Sequence, residues 1–560
     1  MSVSMNQLWT ISATLRRLVA LAGVVVVCCG IECVVAGSGV VAGSGSGAES
    51  GSVAESGSPN VIVIMADDLG WNHIGVDRAT GGTHHSALVT PHLQQLARSG
   101  LTFLNAWQQP NCAPTRAAML SGQYPARIHN NVYVVQSLNR YGGGGVTRSD
   151  AKFRGPEQSL DVAPEAITIA EALQHNGYAT AHIGKFHVGG QRGDETLPEN
   201  AGFDLNIGGF SQGNQPTCFA DMDGEQWRFR GVGRGDFDRF SAPYTREYLS
   251  RRGLTVDLEG TAKHICDAVG DAAVETIAAL AAGSAPFYLQ VHSYAVHGPV
   301  KARPDLLQAA EQRLQGEGGR RMAEYAGFVA GMDEIVGRIV AAVGDPDGDG
   351  SQADSISSNT LIMFTSDNGG THFTNAPLRG EKGMFTEGGL RVPLIATWPG
   401  TIAAGQTTTR MVHSVDYYPT LLDVAGEKWM PEHSVHPLDG FSFADVLRNP
   451  ELGAAPQRPP IFYWFPGYLD RRATPCGVVI DGQHGQLNKL TYFFESDSWE
   501  LYNLTNDPGE ERNLVQTSAE TAAELAESLQ RWLNQEHPTW KPLFPLTVET
   551  GQPALLPIRR

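Results

Sequence analysis

Residues Asn60 to Met65 read NVIVIM, a short apolar run rich in β-branched side chains. That is the pattern of a strand covered on both faces of a parallel sheet. Thr360 to Thr365 (TLIMFT) repeats it, and Ala179 to Ile183 and the stretch PFYLQVHSYAVHGP from Pro286 add further strand-like segments. Elsewhere the period changes. Phe328, Met332, Ile335, Ile339 and Val343 recur at three- and four-residue steps, which predicts one face of a long helix. Thr90 followed by Pro91 predicts an N-cap and first helical residue, with Gly100 as the stop. This order of elements fits one α/β catalytic domain over residues 59–450, with a large, mostly parallel sheet flanked by helices. From about Pro459 the pattern shifts. KLTYFFESDSWELYNLTNDPGEERNL, from Lys489, predicts strands joined by polar turns, with a helix near Ala519 to Asn534, so residues 451–560 form a smaller C-terminal subdomain.

The amino terminus has a different character. Arg16 and Arg17 precede an apolar run from Leu18 to Ile31 that Glu32 interrupts. The run is too short to span a bilayer and reads as the core of a signal peptide, residues 1–36, with cleavage after Ala36 or Ala42. Cys28, Cys29 and Cys33 belong to this leader, and none follows Gly, Ala or Ser, which argues against a lipoprotein anchor. Residues 37–58 are a Gly/Ser-rich linker. The expected location is periplasmic or extracellular, with no stable membrane anchor.

Composition narrows the partners. The 560 residues are 41% hydrophobic, enough for a sizeable core, and carry a net charge of −18. That balance argues against a nucleic-acid binder, and a polyanionic substrate would need a local basic pocket. Of seven Cys, four lie beyond the leader: Cys112, Cys218, Cys266 and Cys476. One disulfide is allowed and none is demanded.

The candidate chemistry sits at the ends of the apolar runs. The first runs into Asp67 and Asp68, the second into Asp367 and Asn368. Four oxygen donors past strand ends suit a hard cation, Ca²⁺ or Mg²⁺, although Asp and Asn are also common turn formers. Lys185 and His187 follow the third run in GKFHVG, and two-residue spacing in an extended segment puts both on one face. His297 precedes a Gly-Pro pair, and Lys382 lies in the Gly-rich loop RGEKGMFTEGGLRVP. Each of these has an ordinary structural explanation when taken singly. Asp345, Asp347, Asp349 and Gly350 imitate the start of a calcium loop, but Ile356 stands where its Glu belongs, so they read as a solvated turn. Residues 140–155 and 192–252 are rich in Gly and Arg and are expected to form loops around the pocket mouth. Asn503-Leu504-Thr505 is a glycosylation sequon, relevant only in a eukaryotic secretory pathway.

Cys112 opens the run CAPTRAAMLSG. These eleven residues, with GKFHVG, the His before a Pro, the loop Lys with EGGLRVP, and the segment ELYNLTNDPGEERNL, resemble the formylglycine-dependent (type I) sulfatase family. That family is arylsulfatase-like and belongs to the alkaline phosphatase superfamily. Phe186 and Val188 replace the Trp and Leu usual there. The resemblance covers nearly everything after the linker. It implies an alkaline-phosphatase-like α/β fold, with a small antiparallel C-terminal sheet and helix. It also implies that a formylglycine-generating maturation enzyme oxidises Cys112 to an aldehyde, 3-oxoalanine, whose hydrate attacks sulfur. By the same resemblance, Asp67, Asp68, Asp367 and Asn368 bind the cation with the modified Cys112. Arg116 and Lys185 would hold the formylglycine hydroxyls, and Lys382 the sulfate. His297 would protonate the leaving group, His187 would take the proton as sulfate is expelled, and Asp367 is a candidate base for the attacking hydroxyl. The implied substrate is a sulfate monoester, of a sulfated carbohydrate above all. Alternatives are a phosphonate or phosphate ester hydrolase of the same superfamily, an inactive carbohydrate-binding relative, and a cysteine hydrolase using the Cys112 thiol. The last leaves the four oxygen ligands without a role.

Overall fold

In the computed structural model, residues 57–76, 87–254, 257–426, 428–450, 452, 458–482 and 485–557 are described. The expected signal peptide, its three Cys and almost all of the expected linker lie outside them. Eight strands form the main sheet: β1 (Asn60–Ala66), β2 (Leu101–Trp107), β3 (Ala179–Gly184), β4 (Leu205–Ile207), β5 (Phe287–His292), β6 (Thr360–Ser366), β7 (Leu394–Thr397) and β8 (Gln406–His413). Their order is β8-β2-β7-β6-β1-β5-β3-β4. Only β7 runs against its neighbours. The central strand β1 is wholly buried. Its side chains alternate between two cores, Val61, Val63 and Met65 on one face and Ile62, Ile64 and Ala66 on the other. This two-residue alternation explains why the run is apolar throughout instead of amphipathic.

Helices cover both faces. The long helix Gly319–Gly344 packs on one face beside Ile265–Ala281, burying Phe328, Met332, Ile335, Ile339 and Val343 as their spacing predicts. Ile169–His175 and Tyr417–Ala425 cover the other face. The helix predicted after Thr90 spans Pro91–Arg98, but its ends work differently. The Thr90 hydroxyl accepts from Gly75 N instead of capping, and the Asp333 carboxylate on the long helix accepts from His92 N and Leu93 N. Gly100 is small because a Cβ there would lie 2.1 Å from the Ala396 carbonyl oxygen of β7.

Near the carboxyl end, β9 (Ile461–Phe465), β10 (Cys476–Asp481), β11 (Asn488–Phe493) and β12 (Ser498–Asn503) form an antiparallel sheet in that order. The helix Ala519–Leu533 lays Leu525, Leu529 and Trp532 against it. The same core takes in Trp107, Ala118 and Tyr124 from the larger part of the chain. A short parallel ladder adds a second tie, with Tyr468 opposite Asn139 and Leu469 opposite Arg140. Both sheets belong to one compact unit. The segments 140–155 and 192–252 are loops with short pieces of strand and helix. Cys112, Cys218, Cys266 and Cys476 are all buried free thiols. Asp345, Asp347 and Asp349 sit in a turn, where they accept from its own backbone amides. Among the described residues, no helix is long and apolar enough to cross a membrane.

Candidate active site

β1 and β6 are parallel neighbours in register, with Ala66 opposite Ser366. Asp67 and Asp68 therefore leave the sheet level with Asp367 and Asn368, at the carboxyl ends where open α/β sheets place ligands. Beyond β1 stand β5 and then β3. The turns after these two strands carry His297, and Lys185 with His187. Asp68 and His187 hold positive φ, at 63° and 75°. Non-Gly residues adopt that conformation rarely, and it concentrates at functional sites.

The helix Cys112–Ser121 follows β2 and presents Cys112 as its first residue. The Thr115 hydroxyl donates to Asp367 O at 2.6 Å and accepts from Gln109 N, tying the first turn to the end of β6. Ala113, Ala117 and Ala118 let the helix sit fully buried, and Gly122, at φ 67°, ends it. Lys382 arrives on the loop between β6 and β7, fixed by Lys382 N to Gly370 O and Gly383 N to Pro110 O. Behind that loop the buried Glu387 accepts from Trp107 Nε1, Arg391 Nε and Lys489 Nζ. Lys489 lies on β11, so the C-terminal sheet helps to set the loop.

Charge alternates through the site. Lys185 Nζ is 2.7 Å from Asp67 Oδ2 and Lys382 Nζ is 2.7 Å from Asp68 Oδ1. Arg116 Nη2 is 2.8 Å from Asp367 Oδ2, and the same guanidinium donates to Lys185 O. Asn368 Nδ2 donates to Asp68 Oδ1, and His297 Nε2 lies 3.8 Å from Asp68 Oδ2. Burial and the charge of Asp367 push the Asp67 carboxyl up to about 8, more than Lys185 pulls it down. Burial also pushes the Cys112 thiol up, against Lys185 and Lys382, so the thiol is not primed as a nucleophile. Burial holds the His297 imidazole down at about 4, partly offset by Asp68.

The residues fit a hard cation. Ligand atoms of Asp67, Cys112 and Asp367 lie within 4.8 Å of one another. Asp67 Oδ1 and Asn368 Oδ1 are buried without a hydrogen-bond partner among the described residues, and such atoms are costly unless something coordinates them. Asp67, Asp68, Asp367 and Asn368 make an all-oxygen set that a hard divalent ion matches, with the Cys112 thiol beside it.

Asp67, Asp68, Cys112, Arg116, Lys185, His187, His297, Asp367, Asn368 and Lys382 lie at this one place, but the route differs for one pair. β3 ends at Gly184, so Lys185 and His187 do not share the face of an extended segment. Lys185 points inward to Asp67, whereas His187 lines a cleft of about 600 Å³ with Asp68, Cys112, His297 and Lys382. The sequence reading did not single out His292, whose Nδ1 lies 3.2 Å from Arg116 Nη1 and whose carbonyl accepts from Lys185 N. It also did not single out Arg140, Gln191, Gln212, His372 and Arg472, which line the cleft. The Gly- and Arg-rich composition of the loops pointed to Arg140 and Gln212 only as a region, and nothing pointed to Arg472.

Comparison with known proteins identifies the family. Residues 59–427 match the family described as Sulfatase, and residues 380–538 match "N-sulphoglucosamine sulphohydrolase, C-terminal". A sulfatase of Formosa agariphila is 37% identical over 502 residues, covering 85% of this chain and 88% of the relative. Human arylsulfatase A is 28% identical over 511 residues, covering 84% and 86%. The crystal structure of Ps i-CgsB superposes with a TM-score of 0.62 at 25% identity, covering 86% of this chain and 94% of that one. The chain belongs to the sulfatase family and is a sulfuric ester hydrolase.

Proposed function

We propose that this enzyme removes sulfate from a sulfated carbohydrate, using a formylglycine made from Cys112 and a divalent cation, Ca²⁺ or else Mg²⁺. The observation that carries this reading is the convergence of Cys112 with Asp67 and Asp367 beneath a cleft that also holds Lys382, His187 and His297. Asp67, Asp68, Asp367 and Asn368 would hold the cation, with the modified Cys112 beside them. The bound cation would supply Lewis acidity and a template for the sulfuryl oxygens. The formylglycine, installed by a maturation enzyme, would supply the nucleophile that a buried thiol does not.

The chain's own residues perform the rest. Lys382, paired with Asp68 at the cleft wall, brings a fixed positive charge to the sulfate. Lys185 and Arg116 hold Asp67 and Asp367 in place from behind, and after modification they would hold the hydroxyls of the residue at position 112. His297 faces the cleft with 22% of its side chain exposed, so it can pass a proton to the leaving sugar oxygen. The negative charge of an incoming sulfate favours the protonated ring. His187, on the same cleft wall, takes the proton when sulfate is expelled. Asp367 would act as base toward the residue at position 112.

A carbohydrate substrate is supported by the cleft, which is much larger than a sulfate group. It is also supported by relatives: a mouse N-acetylgalactosamine-6-sulfatase is 28% identical over 82% of this chain. Export is supported by the apolar run after Arg16 and Arg17, and a mature protein beginning near residue 37 or 43 would show it. The decisive test of function is sulfate release from a panel of sulfated mono- and polysaccharides, run beside phosphonate and phosphate monoesters. The reading expects at least one sulfated saccharide to be the best substrate. A preference for phosphonates over every sulfate would overturn it.

A further inference from the structure

The inner end of the cleft holds Cys112, His187, His297 and Lys382, and a sulfate fills only a small part of its volume. Its lining also includes two arginines from distant parts of the chain, Arg140 and Arg472. The ladder that sets Leu469 opposite Arg140 brings them together, and Asp470 N donates to Arg140 O. Both engage one carboxylate. Arg140 Nη2 is 3.1 Å from Asp470 Oδ2, and Arg472 grips Asp470 with Nε at 2.8 Å and Nη2 at 2.7 Å. Asp470 itself is not part of the cleft lining. Arg140 and Arg472, which both line the cleft, share the one Asp470 carboxylate, so a positive charge is left over beside it. The neighbouring Arg471 does not change this balance, because it pairs with Glu381. In a chain of net charge −18, whose global field repels an anionic substrate, surplus positive charge inside a cleft is a local feature that offsets that repulsion. Its position is equally specific, since Arg472 Nη1 donates to the Lys382 carbonyl at 3.4 Å, beside the residue assigned to the sulfate.

A planar guanidinium binds carboxylate and sulfate oxygens through paired hydrogen bonds. We propose that Arg140 and Arg472 form a second oxyanion subsite, which binds a further anionic group of the saccharide next to the ester being cut. That group is either a uronate carboxylate or a second sulfate. The inference rests on the carbohydrate reading given above. It makes the preferred substrate a multiply charged sugar, and it assigns specificity to a residue of the C-terminal part of the chain.

The test is kcat/KM of the wild type, Arg140→Gln and Arg472→Gln on three saccharides: one with a single sulfate and no other charge, one with two sulfates, and one with a sulfate and a uronate. The wild type should prefer one of the two doubly charged substrates, and which one identifies the group bound. Arg140→Gln should reduce that preference about tenfold to a hundredfold, mainly through KM, as expected for a lost charged hydrogen bond. Arg472→Gln should do the same, with an added fall on all substrates because the Lys382 carbonyl loses a donor. A ratio between substrates is insensitive to how much variant folds. Equal losses on all three substrates, or a wild type indifferent to the second charge, would overturn the subsite while leaving the carbohydrate reading intact. Hydrolysis of aryl sulfates with no release from any saccharide would overturn both.

Discussion

Asp67 and Lys185 form an ion pair of 2.7 Å in which neither side chain is exposed to solvent. A buried pair of this kind is hard to break singly, because the remaining charge keeps its desolvation cost and loses its partner. Lys185→Met should therefore destabilise the enzyme by about 3–5 kcal/mol in denaturant unfolding with chelator above pH 8, where Asp67 is charged, and by less at pH 7, where its raised carboxyl takes up a proton. The loss should shrink when Ca²⁺ or Mg²⁺ is added, since the cation takes over neutralisation of Asp67. A variant as stable as the wild type in chelator would remove this pair from the account.

The cation itself has a readout that does not depend on turnover. Adding Ca²⁺ or Mg²⁺ to chelated protein should raise its melting temperature. At a concentration 100 times Kd the stabilisation is about 2.7 kcal/mol. Asp367→Ala should abolish the shift, and metal analysis of the wild type should find one such ion per chain. Zn²⁺ bound through His would contradict the oxygen site.

His297 can be tested by the leaving group. A sugar alkoxide needs a proton far more than an activated phenoxide does, and general acid catalysis contributes roughly 10²–10⁴ in rate. His297→Ala should lose about that factor on a sugar sulfate and much less on an activated aryl sulfate. Equal losses would refute His297 as the acid.

Stability toward acid has an identifiable source away from the site. Burial works against the charge on Asp267, yet Arg303 and Arg252 outweigh it and hold its carboxyl below the usual range. The folded state thus binds this proton less readily than the unfolded chain. The stability it contributes is complete above the unfolded carboxyl pKa, near 4, and is lost as pH falls toward the folded value. Asp267→Asn should lower the melting temperature at pH 7, and the gap from wild type should narrow below about pH 4. A gap that stays constant down to pH 3 would place the effect elsewhere.

The parts legible in the sequence were those fixed by local chemistry. NVIVIM and TLIMFT read as buried strands because both faces of β1 and β6 are covered, and the helical step from Phe328 to Val343 marks one buried stripe. Asp67, Asp68, Asp367 and Asn368 stood out because they follow those strands directly. What stayed hidden depends on contacts between distant segments. The support of the Pro91–Arg98 helix by Asp333, 241 residues away, has no local signature. Nor does the need for Gly100, which lies in the approach of β7. Arg472 resembles any solvated arginine until the ladder beside Arg140 turns it toward the cleft.

The central claim is that position 112 works as an aldehyde and not as a thiol. Protein made together with an active maturation system should be digested and the peptide spanning Cys112 weighed and assayed for a carbonyl. The account predicts loss of the thiol, an aldehyde-reactive residue at position 112, activity that rises with the converted fraction, and no turnover in Cys112→Ala. Full activity in protein whose Cys112 is an unmodified thiol would contradict it.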